Sequence, residues 1–178
     1  MKRQLSNVSL FIGLLLALSV FTVSAHDGNT LHAKLVGRQE VPLVSTGASG
    51  ELELRIEDNQ VSFTLSYKDI EGGAVGAAHI HLGQRNVNGG VMAFFCGGGG
   101  KPACPASPAT VEGIIAPADI IPLVAQQIPA DGAGFPEFVS ALRNGTAYAN
   151  VHSTASPGGE IRGQIREDNG RHRGHDDH

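Results

Sequence analysis

The sequence predicts an all-β fold, a sandwich or barrel of about eight short strands with one or two short helices. Three observations carry this prediction. Apolar and polar residues alternate strictly through residues 50–57 and again through 60–67, with a two-residue turn, Asp58-Asn59, between them. Several further short apolar or β-branched runs follow, most of them bounded by Gly, Pro, Asn or Asp. The chain also carries 24 glycines and 9 prolines in 178 residues. That is well above the usual share of roughly 12%, and it suits a chain of many tight turns.

Each element has its own justification. Residues 30–37 alternate weakly and read as a first strand. In 50–57, Leu52, Leu54 and Ile56 share one face, and Glu51, Glu53, Arg55 and Glu57 share the other. In 60–67, Val61, Phe63, Leu65 and Tyr67 oppose Ser62, Thr64 and Ser66, so the two runs pair as an antiparallel hairpin. Residues 77–82 and 90–96 are the next strands, the second entered from the turn Asn86-Val87-Asn88-Gly89. Residues 110–115 are short and β-branched. Residues 117–129 hold three prolines and read as a loop with one helical turn. Phe135, Phe138, Val139 and Leu142 fall at i, i+3, i+4 and i+7, which predicts a helix over 135–143 that Asn144-Gly145 stops. Residues 146–152 and 160–165 are the last strands, joined by the turn Ser156-Pro157-Gly158-Gly159.

The two ends read differently from the middle. Residues 1–25 have the form of a signal peptide: Lys2 and Arg3, an apolar run over 10–20, then Val23-Ser24-Ala25 before a cleavage site. The apolar run is too short to span a bilayer, so the expectation is export to the periplasm or beyond, with no membrane insertion after cleavage. An uncleaved N-terminal anchor is the alternative. Residues 26–166 then form one domain, and 167–178 a disordered tail rich in His and Asp, without an apolar residue. The formal charge is −4, and cleavage would take two lysine or arginine charges from the 13 and none of the 17 acids. A net negative surface excludes a nucleic-acid partner held by phosphate contacts. The two cysteines, Cys96 and Cys104, read as a disulfide in an exported chain. A redox or metal-binding thiol pair is the other use, but the spacing fits neither motif.

Four blocks then carry a resemblance. They are Leu35-Val36-Gly37-Arg38-Gln39-Glu40-Val41-Pro42, Ala78-His79-Ile80-His81-Leu82-Gly83, Asn144-Gly145-Thr146-Ala147-Tyr148-Ala149-Asn150-Val151-His152-Ser153 and Pro157-Gly158-Gly159-Glu160-Ile161-Arg162-Gly163-Gln164-Ile165. Together, and in this order, they resemble the CHRD domain, named for chordin, as found in bacterial exported single-domain proteins. The resemblance spans residues 31–165. It implies an immunoglobulin-like, Greek-key β-sandwich or barrel. In animal chordin such domains belong to an extracellular protein that binds growth factors. That role does not carry over to a bacterial member, where the partner is missing.

Histidines are the residues that suggest chemistry. In a strand, i and i+2 side chains point the same way. His79 and His81 therefore share a face, as do Tyr148, Asn150 and His152. If the two strands are neighbours, the three imidazoles converge on a mononuclear site suited to copper or zinc. The His-x-His strand with a distant His is similar to the copper site of copper/zinc superoxide dismutase. The dimetal site of that enzyme cannot be assembled here, because residues 33–171 hold no other histidine. The alternative is that the three histidines belong to a hydrogen-bond network with Glu160, Arg162 or backbone carbonyls. Glu160 and Arg162 share a face themselves and read as a polar network or a ligand-binding pair, which Gln39 and Glu40 could join. His26, as a mature N-terminus near His32, and His172, His175 and His178 with Asp176 and Asp177 are weaker metal features, against ordinary frayed or solvated ends.

No nucleophile elbow or dinucleotide fingerprint is present, and Gly97 to Gly100 before Lys101 lacks the ending of a phosphate loop. No catalytic residue and no certain cofactor is assigned, and the chain reads more as a non-enzyme. Two functional readings stand. One is an exported binding or structural module with an unidentified ligand, extracytoplasmic protein or matrix partner. The other is a mononuclear copper- or zinc-binding protein, distantly superoxide-dismutase-like.

Overall fold

Strand pairing follows the alternation closely. The computed structural model describes residues 29–167. Strand β1 (Thr30–Val36) pairs antiparallel with β2 (Ser49–Glu57), which turns at Asp58-Asn59 into β3 (Gln60–Lys68). Leu52 sits opposite Leu65, Leu54 opposite Phe63 and Ile56 opposite Val61, all buried, while Glu51, Glu53, Arg55 and Glu57 face water. The hairpin thus has one dry face and one wet face, as period-two patterning requires.

Next come β4 (Val75–Leu82), β5 (Gly90–Cys96) and β6 (Ala109–Ile115). After two 3₁₀ turns (Pro117–Asp119 and Val124–Gln126) and helix α1 (Phe135–Arg143) lie β7 (Ala147–Ser153), β8 (Ile161–Gln164) and β9 (Arg166–Glu167). All strand pairs are antiparallel, in the spatial order β5-β4-β7-β8-β1-β2-β3-β6, with β9 also on β1. The described residues thus form a nearly closed barrel with one short α-helix.

Its open seam lies between β5 and β6 and is bridged rather than bare. The disulfide of Cys96 and Cys104 anchors the connecting loop to the end of β5. The Lys101 ammonium donates to Ile114 O and Asp119 Oδ2, each at 2.9 Å. Ile121 N–H donates to Met92 O at 2.8 Å. The glycine run serves this loop: Gly97, Gly99 and Gly100 all take positive φ, and a Cβ on Gly97 would lie 2.1 Å from Gly76 O.

Helix α1 buries Phe135, Phe138, Ala141 and Leu142 in the core. Val139 only flanks it, because Ala141 takes the inward position one turn on from Phe138. Strand β9 has no counterpart in the sequence reading. Two residues cannot show a period, and here Leu31 pairs with Glu167 and His32 with Arg166. The proposed signal peptide, His26 and the tail histidines lie outside the described residues.

Strands β4, β7 and β8 are covered on both faces. Ala78, Ile80, Ala147, Ala149, Val151 and Ile161 point into the core. The opposite, outer face carries His79, His81, Tyr148, Asn150, Arg162 and Gln164, and all six are buried too. Residues 83–89 fold over that face and supply its cover.

Candidate metal centre

Register assembles the histidines. In the β4–β7 pair, Ala77 lies opposite His152, His79 opposite Asn150 and His81 opposite Tyr148. His79 therefore has His81 along its own strand and His152 diagonally across, with ring centroids 4.5 Å and 4.4 Å away. One ring nitrogen from each of the three lies within 4.8 Å of the others. His79 and His81 are 6% and 8% exposed, and His152 is half-buried. Phe94 of β5 closes the side of the cluster, edge-on to His79 at 4.9 Å.

Backbone carbonyls orient two of the rings. His81 Nδ1 lies 2.8 Å from Gly89 O, and His152 Nδ1 lies 2.8 Å from Pro157 O. A carbonyl oxygen only accepts, so His152 Nδ1 carries the proton, and in the neutral ring His152 Nε2 carries the lone pair. Gly89 is needed for the first contact, since a Cβ there would lie 1.7 Å from Leu82 O. Among the described residues, His152 Nε2 is buried with no hydrogen-bond partner, and so is His79 Nδ1. His81 Nε2 lies 3.1 Å from Asn150 Oδ1, which also only accepts, so the neutral ring bonds one of its two oxygen neighbours and serves a metal through Nε2 by giving up the Asn150 contact.

Burial keeps the cluster uncharged. It pushes His79 down to about 3, helped by His152 and His81. Burial also lowers His81 against the pull of its Gly89 and Asn150 bonds, with His152 and Arg162 adding to the lowering, and lowers His152 against the pull of the Pro157 bond. Neutral imidazole is the form that ligates a metal.

A family model for the CHRD domain matches residues 31–165. The chain belongs to the CHRD domain family. No curated protein and no solved structure matches it. The four blocks that carry the CHRD resemblance meet at this outer face of β4, β7 and β8. They supply Glu40, the three histidines, Tyr148, Asn150 and Arg162. No helix among the described residues is long and apolar enough to cross a membrane.

The face continues beyond the histidines as a polar stack. Tyr148 lies flat on His81 at 4.6 Å, and the Arg162 guanidinium sits 3.4 Å over the Tyr148 ring. Arg162 donates to Asn88 Oδ1 at 3.1 Å, Gln84 O at 3.2 Å and Val87 O at 2.9 Å. Glu160 does something separate: it accepts from Thr46 Oγ1 at 2.9 Å, Glu71 N–H at 2.8 Å and Gly72 N–H at 3.0 Å. Burial alone would raise its carboxyl, but its hydrogen-bond donors together hold it below the usual range. Glu160 lies just before β8 and does not meet Arg162; each fastens a different loop. Glu40 is nearly buried, and burial lifts its carboxyl to about 7 despite Arg162 and the bonds from Val41 and Asn150.

Other histidines and polar candidates lie apart. His32 pairs with Arg166 at the far end of β1, and Gln39 donates to Lys34 O at 3.1 Å. Tyr148 and Asn150 were visible in the Tyr-x-Asn-x-His alternation as residues of the histidine face. The carbonyls of Gly89 and Pro157 carry no sequence signal, because any residue supplies one.

Three metal bonds of about 2.0–2.1 Å in tetrahedral directions place ligand nitrogens about 3.4 Å apart. The cluster's nitrogens lie within 4.8 Å of one another, wider than that spacing, so a bound ion would draw the rings together. With neutral rings, two buried unpartnered nitrogens and carbonyl-oriented ligands, the donor set fits a metal ion.

Proposed function

We propose that this CHRD-domain protein is an exported metal-binding module whose His79, His81 and His152 hold one copper or zinc ion. One observation carries the reading above all. Three imidazoles converge within 4.8 Å, and His79 Nδ1 and His152 Nε2 are buried there with no hydrogen-bond partner among the described residues. Imidazole ligands without thiolate suit zinc and copper and disfavour hard cations such as magnesium and calcium. The bound ion would act as a Lewis acid or, for copper, as a redox centre. Gly89 and Pro157 fix two ring orientations, Tyr148 holds His81 flat, and Phe94 excludes water from one side. Export rests on residues 1–25 as a signal peptide, with the Cys96 and Cys104 bridge suiting an oxidising compartment.

The test is metal content by mass spectrometry on untagged protein ending at Glu167, so that the tail histidines cannot contribute. The expected result is about one copper or zinc per chain, lost when all three histidines become Ala while the circular dichroism of the barrel persists. Protein that takes up neither metal sinks the reading and leaves a binding or structural module with an extracytoplasmic protein or matrix partner.

A further inference from the structure

A second outward-facing feature is built from arginines. A cleft of about 170 Å³ is lined by Arg38, Gln39, Arg85, Asn86, Arg162 and Gln164. These come from three places: the 3₁₀ turn Gly37–Gln39, the loop after β4, and β8. Three guanidiniums and three amides line it, and among the described residues no carboxylate does. That is unexpected in a chain with 17 acidic residues and a net charge of −4. Glu40 lies close enough to Arg162 to interact electrostatically, but it does not line the cleft. Arg38 and Arg85 are exposed and make no hydrogen bond or ion pair among the described residues.

The cleft is held in shape. Val87 N–H donates to Gln84 O at 3.2 Å, closing a turn with Arg85 and Asn86 at its tip. Arg162 donates to the carbonyls at both ends of that same turn, Gln84 O and Val87 O. Asn88 Nδ2 donates to Val41 O at 2.8 Å, tying the loop to the segment that follows Arg38. Gln164 Nε2 reaches Gly83 O at 3.0 Å and Gly145 O and Ala147 O at 2.9 Å, fixing the loop's start. Two free guanidiniums are therefore presented on rigid turns above a buried third. Like charges so placed repel one another, and an oxyanion between them removes the repulsion while accepting paired N–H bonds.

We propose that this cleft binds an oxyanion group, a carboxylate, sulfate or phosphate, between Arg38 and Arg85, with Gln39 and Asn86 as neutral donors and Arg162 as the positioning residue beneath. The group comes either from a free ion or from an acidic polymer that displays it. Calorimetric titration of the purified protein with inorganic phosphate, sodium sulfate, citrate and a sulfated polysaccharide tests the site. Saturable binding of at least one probe is expected, weakened at least tenfold in an Arg38→Ala/Arg85→Ala double variant whose melting temperature is unchanged. Binding of phosphate, sulfate or citrate assigns a free ion, and binding of the polysaccharide alone assigns a displayed group. His152→Ala keeps the affinity, which separates this site from the metal centre. Absence of saturable binding for all four probes, or equal affinity in the double variant, overturns the proposal.

Discussion

Glu40 shows how a single buried side chain couples the fold to pH. Its carboxyl is nearly buried, and burial raises it from 4.5 to about 7. The folded value lies above the unfolded one. The group's contribution to stability is therefore fully present below pH 4.5 and is lost as pH rises through about 7. A shift of this size amounts to roughly 3 kcal/mol at about 1.4 kcal/mol per unit. Glutamine keeps the shape and the neutral state at every pH. The Glu40→Gln variant should thus gain on the wild type by up to about 3 kcal/mol between pH 4.5 and 8. Urea unfolding of both proteins at the two pH values measures the difference. Parallel stabilities would mean that Glu40 is charged and solvated in the folded chain. At this scale the sequence was informative where side chains alternate. The His-x-His and Tyr-x-Asn-x-His patterns placed the histidines on common faces without knowledge of their neighbours. Glu40 was visible only as a companion of Gln39. Its burial arises from contact with Asn150 and Arg162, more than a hundred residues away in sequence.

Elements divide into those that a local pattern specifies and those that closure of the barrel creates. The β2–β3 hairpin and α1 belong to the first kind: period-two and period-3.6 patterns each bury one stripe, and the structure buries those stripes. Strand β9 and the cover over the outer face belong to the second. Arg162 and Gln164 hold the 83–89 loop by side-chain bonds to its carbonyls, and the sequence of that loop does not encode such bonds. The disulfide loop lies between the two kinds. Cys96 and Cys104 were legible as a pair, but their service to the seam between β5 and β6 was not. In the chain-entropy view, a bridge closing nine residues stabilises by about 2.5 kcal/mol through the unfolded state. Replacing both cysteines with Ser should lower stability by about that amount, and it should loosen the Lys101 contacts with Ile114 and Asp119. Guanidinium unfolding of the variant gives the first quantity, and hydrogen exchange at residues 91–96 and 109–115 gives the second. Equal unfolding midpoints would show that the backbone bond from Ile121 to Met92 holds the seam without the bridge.

For the whole molecule, the decisive feature is that one sheet region is buried twice. Inside, β4, β7 and β8 contribute small and branched apolar residues to the core. Outside, the same strands carry a polar layer of histidine, tyrosine, asparagine and arginine under a loop. The inner layer supplies hydrophobic stability. The outer layer is expensive, since each buried polar atom without a partner costs on the order of 1–3 kcal/mol, and among the described residues two histidine nitrogens and Gln164 Oε1 are in that state. A metal ion converts the histidines' share of that cost into coordination, so metal binding and global stability are linked. An ion that binds only the folded chain, at a free concentration 100 times its dissociation constant, adds about 2.7 kcal/mol. For a domain of this size that raises the melting temperature by roughly 5–10 °C. Metal-stripped protein ending at Glu167 should show this rise on addition of copper or zinc, and magnesium should leave the melting temperature unchanged. The His79→Ala/His81→Ala/His152→Ala variant should show no rise with any of the three. A shift that survives in that variant would place the metal elsewhere on the barrel. No shift in the parent protein would mean that water, rather than metal, meets the two nitrogens.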